Sequence, residues 1–143
     1  MNDTDIDPIL ATLVGIANSG EDDAQDVHIT LTVGGTQISG ILTRNADWFE
    51  AQPQVKPFAE QIRSWNDLHS KVEKAIAGVE DVDPAYLRAV ADQYKTHYIH
   101  LRDAKVLVGN QLVPTADGAY WRGKLAEVSG WWLGSLRTGD AEA

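Results

Sequence analysis

The sequence predicts an α+β fold in which a small, strongly curved, five-stranded antiparallel sheet or barrel follows an amino-terminal helix. Apolar residues at helical spacing come first, and a strand pair joined at Gly34-Gly35 comes next. A long middle segment then returns to helical spacing, which predicts a helical insertion between strands two and three. The last third reads as short strands rich in aromatic residues. The 143 residues are expected to form a single domain, 1–143, with a helix at 7–18, a hairpin at 27–44, a helical insertion at 47–96, three strands at 97–136 and a flexible tail at 137–143.

The amino-terminal helix is predicted to begin at Asp7-Pro8. An Asp side chain caps a helix by accepting bonds from free N–H groups, and Pro fits the first helical position, where its N–H would have no partner. Asn18-Ser19-Gly20 ends the helix. The apolar residues at helical spacing are Ile6, Ile9, Leu10, Leu13, Val14 and Ala17.

The hairpin over 27–44 has the clearest strand pattern in the chain. Its first strand alternates polar residues with the apolar residues Val27, Ile29, Leu31 and Val33. This period of two is typical of a strand with one buried face. Gly34-Gly35 supplies the positive φ angles of a two-residue turn, and Gly40 in the second strand indicates a bend or bulge.

The insertion over 47–96 is predicted to contain two helices, one opened by Pro57 and one by Asp83-Pro84. The second is expected to face Leu87, Val90 and Tyr94 inward. Because an apolar stripe at helical spacing is typical of a helix packed on a core, we expect Trp65 to be buried and assign it no functional role. The stripe of the first helix consists of Phe58, Ile62, Trp65, Leu68, Val72, Ile76 and Val79.

Three strands are predicted after Lys95, over 98–108, 119–128 and 131–136, with a loop at 109–118. Ser129-Gly130 is interpreted as a tight hairpin that joins the last two strands. We expect these strands and the 27–44 hairpin to share one sheet. Its core is expected to contain Ile29, Leu31, Ile99, Leu101, Leu125 and Leu133.

Charge and composition limit the classes of partner. The net charge is −9, and seven acidic residues but no Lys or Arg precede Arg44. This region is either a solubilising segment or a patch that attracts a basic partner. Because nucleic-acid binders neutralise phosphates with Lys and Arg, the balance argues against such a role. The chain has no cysteine, no apolar run of the roughly 20 residues that span a bilayer, and an acidic amino terminus unlike a secretory signal, so we expect a cytoplasmic protein without a membrane partner.

No catalytic or metal-binding pattern is evident. His97 and His100 are three residues apart on a predicted strand, where they point to opposite faces, so with His28 and His69 they make no ligand set and are interpreted as partly exposed sheet residues. Asp103 is interpreted as a charge-paired residue at a strand end, although His100 and Asp103 are the pair that an enzyme would use. Gly34-Gly35 lacks the flanking residues of a phosphate loop, and no cofactor is expected.

A cluster of aromatic residues on the last strands predicts association with a protein partner. Neighbouring residues on a strand face opposite sides, so at least one of Trp131 and Trp132 is expected to point away from the core. An outward indole is a natural interface anchor. Arg122 beside Trp121 is read either as a base-stacking pair or, given the acidic charge, as a sheet pair with Trp121 inward and Arg122 outward. The predicted interface residues are Trp121, Arg122, Trp131 and Trp132.

Five short strands after a helix, with a bent second strand, also resemble the layout of Sm-like small barrels. The first motif of that layout falls on 29–40, and the second falls on Tyr98–Asp103 with Arg122-Gly123. The sequence departs from the pattern because 47–96 replaces a short connection and because the basic RNA-contacting character is missing.

Two segments of the sequence also resemble segments of a second family. The first is Ile29-Thr30-Leu31-Thr32-Val33-Gly34-Gly35-Thr36, followed by Ile38-Ser39-Gly40. The second is Tyr98-Ile99-His100-Leu101-Arg102-Asp103-Ala104-Lys105, followed by Pro114-Thr115, Trp121-Arg122-Gly123, Val128-Ser129-Gly130 and Leu133-Gly134. In this order and spacing they resemble the gas vesicle accessory protein U (GvpU) family.

The resemblance implies a non-enzymatic cytoplasmic accessory protein of gas vesicles that acts through protein–protein association. Its partners would be gas vesicle shell or accessory proteins, or copies of itself as a homo-oligomer. Two other functions stay open at this point. One is an Sm-like module that binds RNA or a small ligand, and the other is a small enzyme that uses His100 and Asp103.

Overall fold

A computed structural model describes residues 6–18, 26–77 and 97–136. The predicted α+β class is confirmed. The helix expected from Asp83-Pro84 and the tail at 137–143 lie outside the described residues. The elements are α1 (Pro8–Asn18), β1 (Val27–Val33), β2 (Thr36–Leu42), α2 (Asn45–Glu50), α3 (Ala59–Ala77), β3 (Tyr98–Val108), β4 (Gln111–Val113), β5 (Ala119–Lys124) and β6 (Val128–Leu133), with short 3-10 turns at Lys56–Phe58 and Leu125–Glu127.

α1 begins as the sequence predicts. The Oδ1 atom of Asp7 accepts a bond of 2.8 Å from the N–H of Ile9, which satisfies one of the free donors of the first turn. Leu10 and Val14, four residues apart, are buried on the face that packs against the sheet.

The six strands form one antiparallel sheet in the order β4-β3-β2-β1-β6, and β5 pairs with β3 beside β4. The predicted hairpin is confirmed as β1 and β2, with positive φ angles of 56° and 80° at Gly34 and Gly35. The predicted loop at 109–118 contains β4, so the sheet has six strands where five were expected. It is not closed into a barrel, since no ladder joins β5 to β6 in the described part of the chain.

The predicted Ser129-Gly130 hairpin is wrong, because both residues lie inside β6. The 3-10 turn at Leu125–Glu127 carries the chain from β5, which pairs with β3, to β6, which pairs with β1 at the opposite end of the sheet. Leu125 is buried at this corner. Consequently, Trp121 and the Trp131-Trp132 pair lie on opposite edges rather than on adjacent strands.

The core lies between α1 and one face of the sheet. It contains Ile29, Leu31, Ile99, Leu101 and Leu125, as the sequence predicts. The prediction that Leu133 belongs to the core is wrong, because Leu133 pairs with Ile29 at the sheet edge and remains 61% exposed.

The strands bend at a bulge in β3. Ser39 pairs with Lys105 while Ile41 pairs with Arg102, so β3 contributes one residue more than β2 over this interval. The irregularity predicted at Gly40 is therefore at the expected place along the hairpin, but the extra residue belongs to β3 and not to the strand that carries Gly40. The same extra residue shifts the register between β3 and β5.

The insertion packs differently from the prediction. The six-residue α2 lies against β3 and connects α3 to the sheet. Trp65, Leu68 and Phe58 are exposed on α3 and on the turn before it, with Trp65 at 59%, so their interpretation as core residues is wrong for these three. Phe58 still contacts the ring of Phe49 in α2, with ring centres 6.5 Å apart.

Candidate functional site

The Trp131-Trp132 pair is oriented by its place on β6. Trp131 lies opposite Leu31 and Trp132 lies opposite Thr30, so the two indoles leave the sheet on different faces. Trp131 packs against the core cluster. Its Nε1 donates a hydrogen bond of 2.9 Å to Oδ2 of Asp7, the residue that also caps α1. This bond, together with the bond from the Ile9 N–H, lowers the pKa of Asp7 and favours its charged form.

Trp132 points away from the core and is 42% exposed, which confirms the expectation that one of the two indoles faces outward. Leu133 follows it and is also exposed. Both lie on an edge strand, since β6 pairs with β1 and with no other described strand. The edge therefore combines apolar side chains with backbone groups that are free to pair.

The chain after β6 crosses the outer face of the sheet and fixes the end of this strand. The N–H of Gly134 donates to the carbonyl of His28 over 2.7 Å, and Thr30 Oγ1 donates to the carbonyl of Gly134 over 2.8 Å. The N–H of Leu136 donates to Oγ of the buried Ser39 over 3.0 Å. Buried hydroxyls are satisfied by this crossing, so it is a defined part of the fold.

The other predicted interface residues lie on β5. Trp121 faces the core, and its indole lies across Gly123, where an added Cβ would stand 2.3 Å from Cη2 of the ring. Arg122 points to the opposite face and is exposed. This matches the structural interpretation of the pair, with Trp121 inward and Arg122 outward. The motif Trp121-Arg122-Gly123 therefore directs a tryptophan to the core and an arginine to the opposite face, and it supplies the glycine that leaves room for the indole ring.

Arg122 is held in a cluster of aromatic side chains. Its Nε donates to Nε2 of His100 over 3.0 Å, and its guanidinium carbon lies 3.8 Å from the centre of the Tyr98 ring and 5.7 Å from that of Phe49. His100 in turn packs edge-on against Trp48, with ring centres 5.3 Å apart. These contacts join β3, β5 and α2.

His100 is 4% exposed, so the expectation of a partly exposed histidine is wrong for it. Trp48 and Phe49 of α2 lie against its ring. Burial, reinforced by the charge of Arg122, lowers the pKa of His100 to about 4. Because Nε2 accepts from Arg122, the neutral ring carries its proton on Nδ1, which is buried and has no hydrogen-bond partner among the described residues.

Asp103 stands at the β3 bulge in the middle of the strand, and not at a strand end as expected. It has a φ of 50°, and its Oδ1 accepts a bond of 2.8 Å from the N–H of Gly118. An Asp tolerates this left-handed conformation better than most residues do.

The lining of the cavity at Asp103 bears on the enzyme hypothesis. The cavity has about 190 Å³, and His28 and Lys105 contribute to its lining together with Asp103, but His100 does not. This cavity therefore does not join His100 to Asp103, and the Nε2 lone pair of His100 is engaged by Arg122.

The sequence did not single out Tyr98, Trp48 and Phe49 as neighbours of Arg122. The available signal was the Trp48-Phe49 pair, which begins four residues after Arg44, although a six-residue helix shows too little periodicity to reveal which face it buries. His28 and His97 are exposed. Within the described ranges, no three His, Cys, Asp or Glu residues group as metal ligands do. No described helix is long and apolar enough to cross a membrane.

Comparison with known proteins adds one finding. A family model described as "Gas vesicle protein GvpU-like" matches residues 7–136 of this chain. A search of the curated proteins and a search of the solved structures each found no match. The matched span includes every described strand and the helices α1 to α3.

Proposed function

We propose, because this chain belongs to the GvpU-like family of gas vesicle proteins, that it serves gas vesicles as a non-enzymatic accessory protein that acts by binding other proteins. Its partners are gas vesicle shell or accessory proteins and further copies of the chain, which make it a homo-oligomer. It acts in the cytoplasm, without a cofactor and without binding nucleic acid or membrane.

The observation that carries this proposal is the exposed pair Trp132-Leu133 on the edge of β6. Tryptophan is enriched among the residues that dominate binding energy, and a free strand edge offers backbone groups to a partner. Trp131 is fixed beneath by its bond to Asp7, so the strand that carries Trp132 is held in place before binding. A preorganised anchor loses less conformational entropy on association.

The other interface residues take different roles in the proposal. Trp121 and Trp131 hold the two edge strands on the core, and Trp132 makes the contact with the partner. Arg122 is exposed on β5, at the other edge of the sheet, and it serves a separate contact.

The two rival functions lack a supporting observation. An enzyme using His100 and Asp103 requires a shared pocket, and the cavity at Asp103 is not lined by His100. An RNA-binding Sm-like module requires a cationic surface to offset a net charge of −9.

The test measures how much protein floats with intact gas vesicles in a density gradient. We expect the wild-type chain to float with them and Trp132→Ala to lower the bound fraction at least several-fold. Trp65→Ala is the matched control, since Trp65 is another exposed indole but lies on α3. Asp103→Asn tests the enzyme hypothesis and keeps a residue that tolerates positive φ. We expect it to lower the bound fraction less than Trp132→Ala does.

Equal binding by Trp132→Ala and the wild type would overturn the assignment of the anchor. Absence of any binding to vesicles or their proteins, together with unchanged vesicle number, shape and clustering after gene deletion, would overturn the accessory role itself.

A further inference from the structure

We propose that the outer face of β5, carrying Arg122 and Lys124 beside Tyr98, is a docking site for an acidic, extended peptide segment of a partner protein, which pairs with the free edge of β5. This site lies at the opposite edge of the sheet from Trp132. It therefore does not depend on the vesicle-binding role proposed for that residue.

β5 has one edge free for pairing. The strand runs over Ala119–Lys124 and pairs with β3, and no other strand in the described ranges pairs with it. Such an edge presents a row of N–H and C=O groups that an added strand can satisfy. Six residues match the usual length of a strand in globular proteins, which is about 5–6 residues.

The charge on this strand is uncompensated. Arg122 and Lys124 are two residues apart, so both project from the same face. In the part of the chain that the structure describes, neither forms an ion pair, and the strand itself contains no Asp or Glu. Several other cations do pair with carboxylates, as Arg44, Arg63, Lys71 and Arg102 show.

The guanidinium of Arg122 is oriented before any ligand arrives. Nε is engaged by His100, and the ring of Tyr98 lies 3.8 Å from the guanidinium carbon. The two Nη groups have no hydrogen-bond partner among the described residues. A planar guanidinium with both Nη groups available recognises a carboxylate through two parallel bonds.

The spacing of the two cations identifies an extended peptide as the ligand. Residues directly opposite on paired strands have Cβ atoms about 4.5–5.5 Å apart, so acidic residues at alternate positions of an added strand would face Arg122 and Lys124. A nucleic acid is also anionic, but it cannot supply the backbone donors and acceptors that the edge of β5 requires. The net charge of −9 further disfavours a long polyanion.

Edge strands also carry cations simply to prevent pairing. Under that explanation β5 binds no peptide, and replacing the two cations promotes aggregation. The contacts that orient Arg122 favour the docking role, because repulsion alone does not require a side chain held by a hydrogen bond and two aromatic rings.

The test uses the full chain and two labelled synthetic peptides, measured by fluorescence anisotropy at low and at physiological salt. One peptide alternates Glu with Val and Thr, and the other carries Gln in place of Glu. We expect the Glu peptide to bind at least about tenfold more tightly, with the difference shrinking as salt rises. Amide shifts in NMR spectra should be concentrated in 119–124.

Variants locate the site. Arg122→Gln with Lys124→Gln should abolish the preference for the Glu peptide, whereas Lys56→Gln with Lys105→Gln removes the same charge elsewhere and should preserve it. Lys124→Gln alone leaves the contacts of Arg122 intact and should reduce the preference part of the way, so the result does not depend on the stability of the cluster.

Equal affinity for the two peptides, or an unchanged preference in the Arg122→Gln, Lys124→Gln variant, would overturn the docking site. Tighter binding of a single-stranded oligonucleotide to 119–124 than of the Glu peptide would overturn the assignment of the ligand. Aggregation of the double variant without peptide binding by the wild type would establish edge protection instead.

Discussion

The Nε atom of Arg122 donates a hydrogen bond to Nε2 of His100 over 3.0 Å, between residues that lie directly opposite each other on β5 and β3. The bond requires an unprotonated Nε2, because a guanidinium can donate but cannot accept. His100 also contacts Trp48 and Phe49 of α2. The protonation state of one imidazole is therefore coupled to the attachment of the helical insertion to the sheet.

The first prediction concerns pH. The pKa of His100 falls from its ordinary value of 6.5 to about 4 in the folded chain. Between these values the unfolded state binds more protons, so the free energy of unfolding decreases as pH falls through this window and recovers above it. The shift corresponds to a loss of about 3 kcal/mol. Urea denaturation at several pH values between 7.5 and 4.5 measures it.

Matched histidine variants isolate this contribution. His97 is exposed and immediately precedes β3, so His97→Gln should keep the full pH dependence. His100→Gln should flatten the curve in the same window, even if the variant is less stable at pH 7.5. Identical pH dependence of His100→Gln and the wild type would refute the assignment.

The second prediction concerns the core. Leu31 is fully buried in β1 beneath α1, so Leu31→Ala should lower the free energy of unfolding by about 2–5 kcal/mol. Ile9 lies on the exposed side of α1, and Ile9→Ala should change stability by less than about 1 kcal/mol. A denaturation midpoint unaffected by Leu31→Ala would remove Leu31 from the core.

The third prediction concerns the contact between Trp121 and Gly123. An alanine Cβ at position 123 would lie 2.3 Å from the indole, so Gly123→Ala must displace the ring and should destabilise the chain by about 1–3 kcal/mol. Gly130 on β6 is the control, because the nearest atom to its added Cβ is 4.0 Å away. Thermal unfolding of both variants measures the difference.

A chain that lacks the indole of Trp121 tests whether the ring causes the destabilisation by Gly123→Ala. In a Trp121→Val chain the indole is gone, so Gly123→Ala should cost much less than it does in the wild type. An equal cost in both backgrounds would mean that the conformation of the strand, and not the ring, determines the need for glycine at this position.

Local patterns predicted those parts of the fold that depend on a few consecutive residues. Asp7-Pro8 specifies the start of α1, and Gly34-Gly35 specifies the turn, because each acts through its own backbone and nearest neighbours. The period-two pattern correctly predicted which residues of β1 and β3 face the core. These inferences need no knowledge of distant segments.

Inferences that depend on which segments meet were less successful. Alternation predicts that Trp131 and Trp132 face opposite sides, but it does not reveal that β6 pairs with β1 instead of β5. The stripe on α3 predicts an apolar face and says nothing about what covers Trp65. His100 is buried because α2 packs over it, and six residues are too few to show which side of a helix is apolar.

The last prediction concerns self-association through β6. If copies of the chain meet at the edge that carries Trp132, the dissociation constant should rise about thirtyfold in Trp132→Ala, which corresponds to the roughly 2 kcal/mol typical of an anchor residue. Sedimentation velocity over a range of protein concentrations measures it. The fold should be unaffected, because Trp132 is not part of the core cluster.

Trp65→Ala decides whether the effect belongs to β6 or to exposed indoles in general. Trp65 is more exposed than Trp132, at 59% against 42%, but it lies on the helix α3 and not on an edge strand. Self-association driven only by apolar exposure should therefore weaken at least as much in Trp65→Ala. Association through the edge of β6 should respond to Trp132→Ala alone, because there the indole and the free backbone groups act on the same partner strand. A wild-type chain that remains monomeric at high concentration would contradict both alternatives.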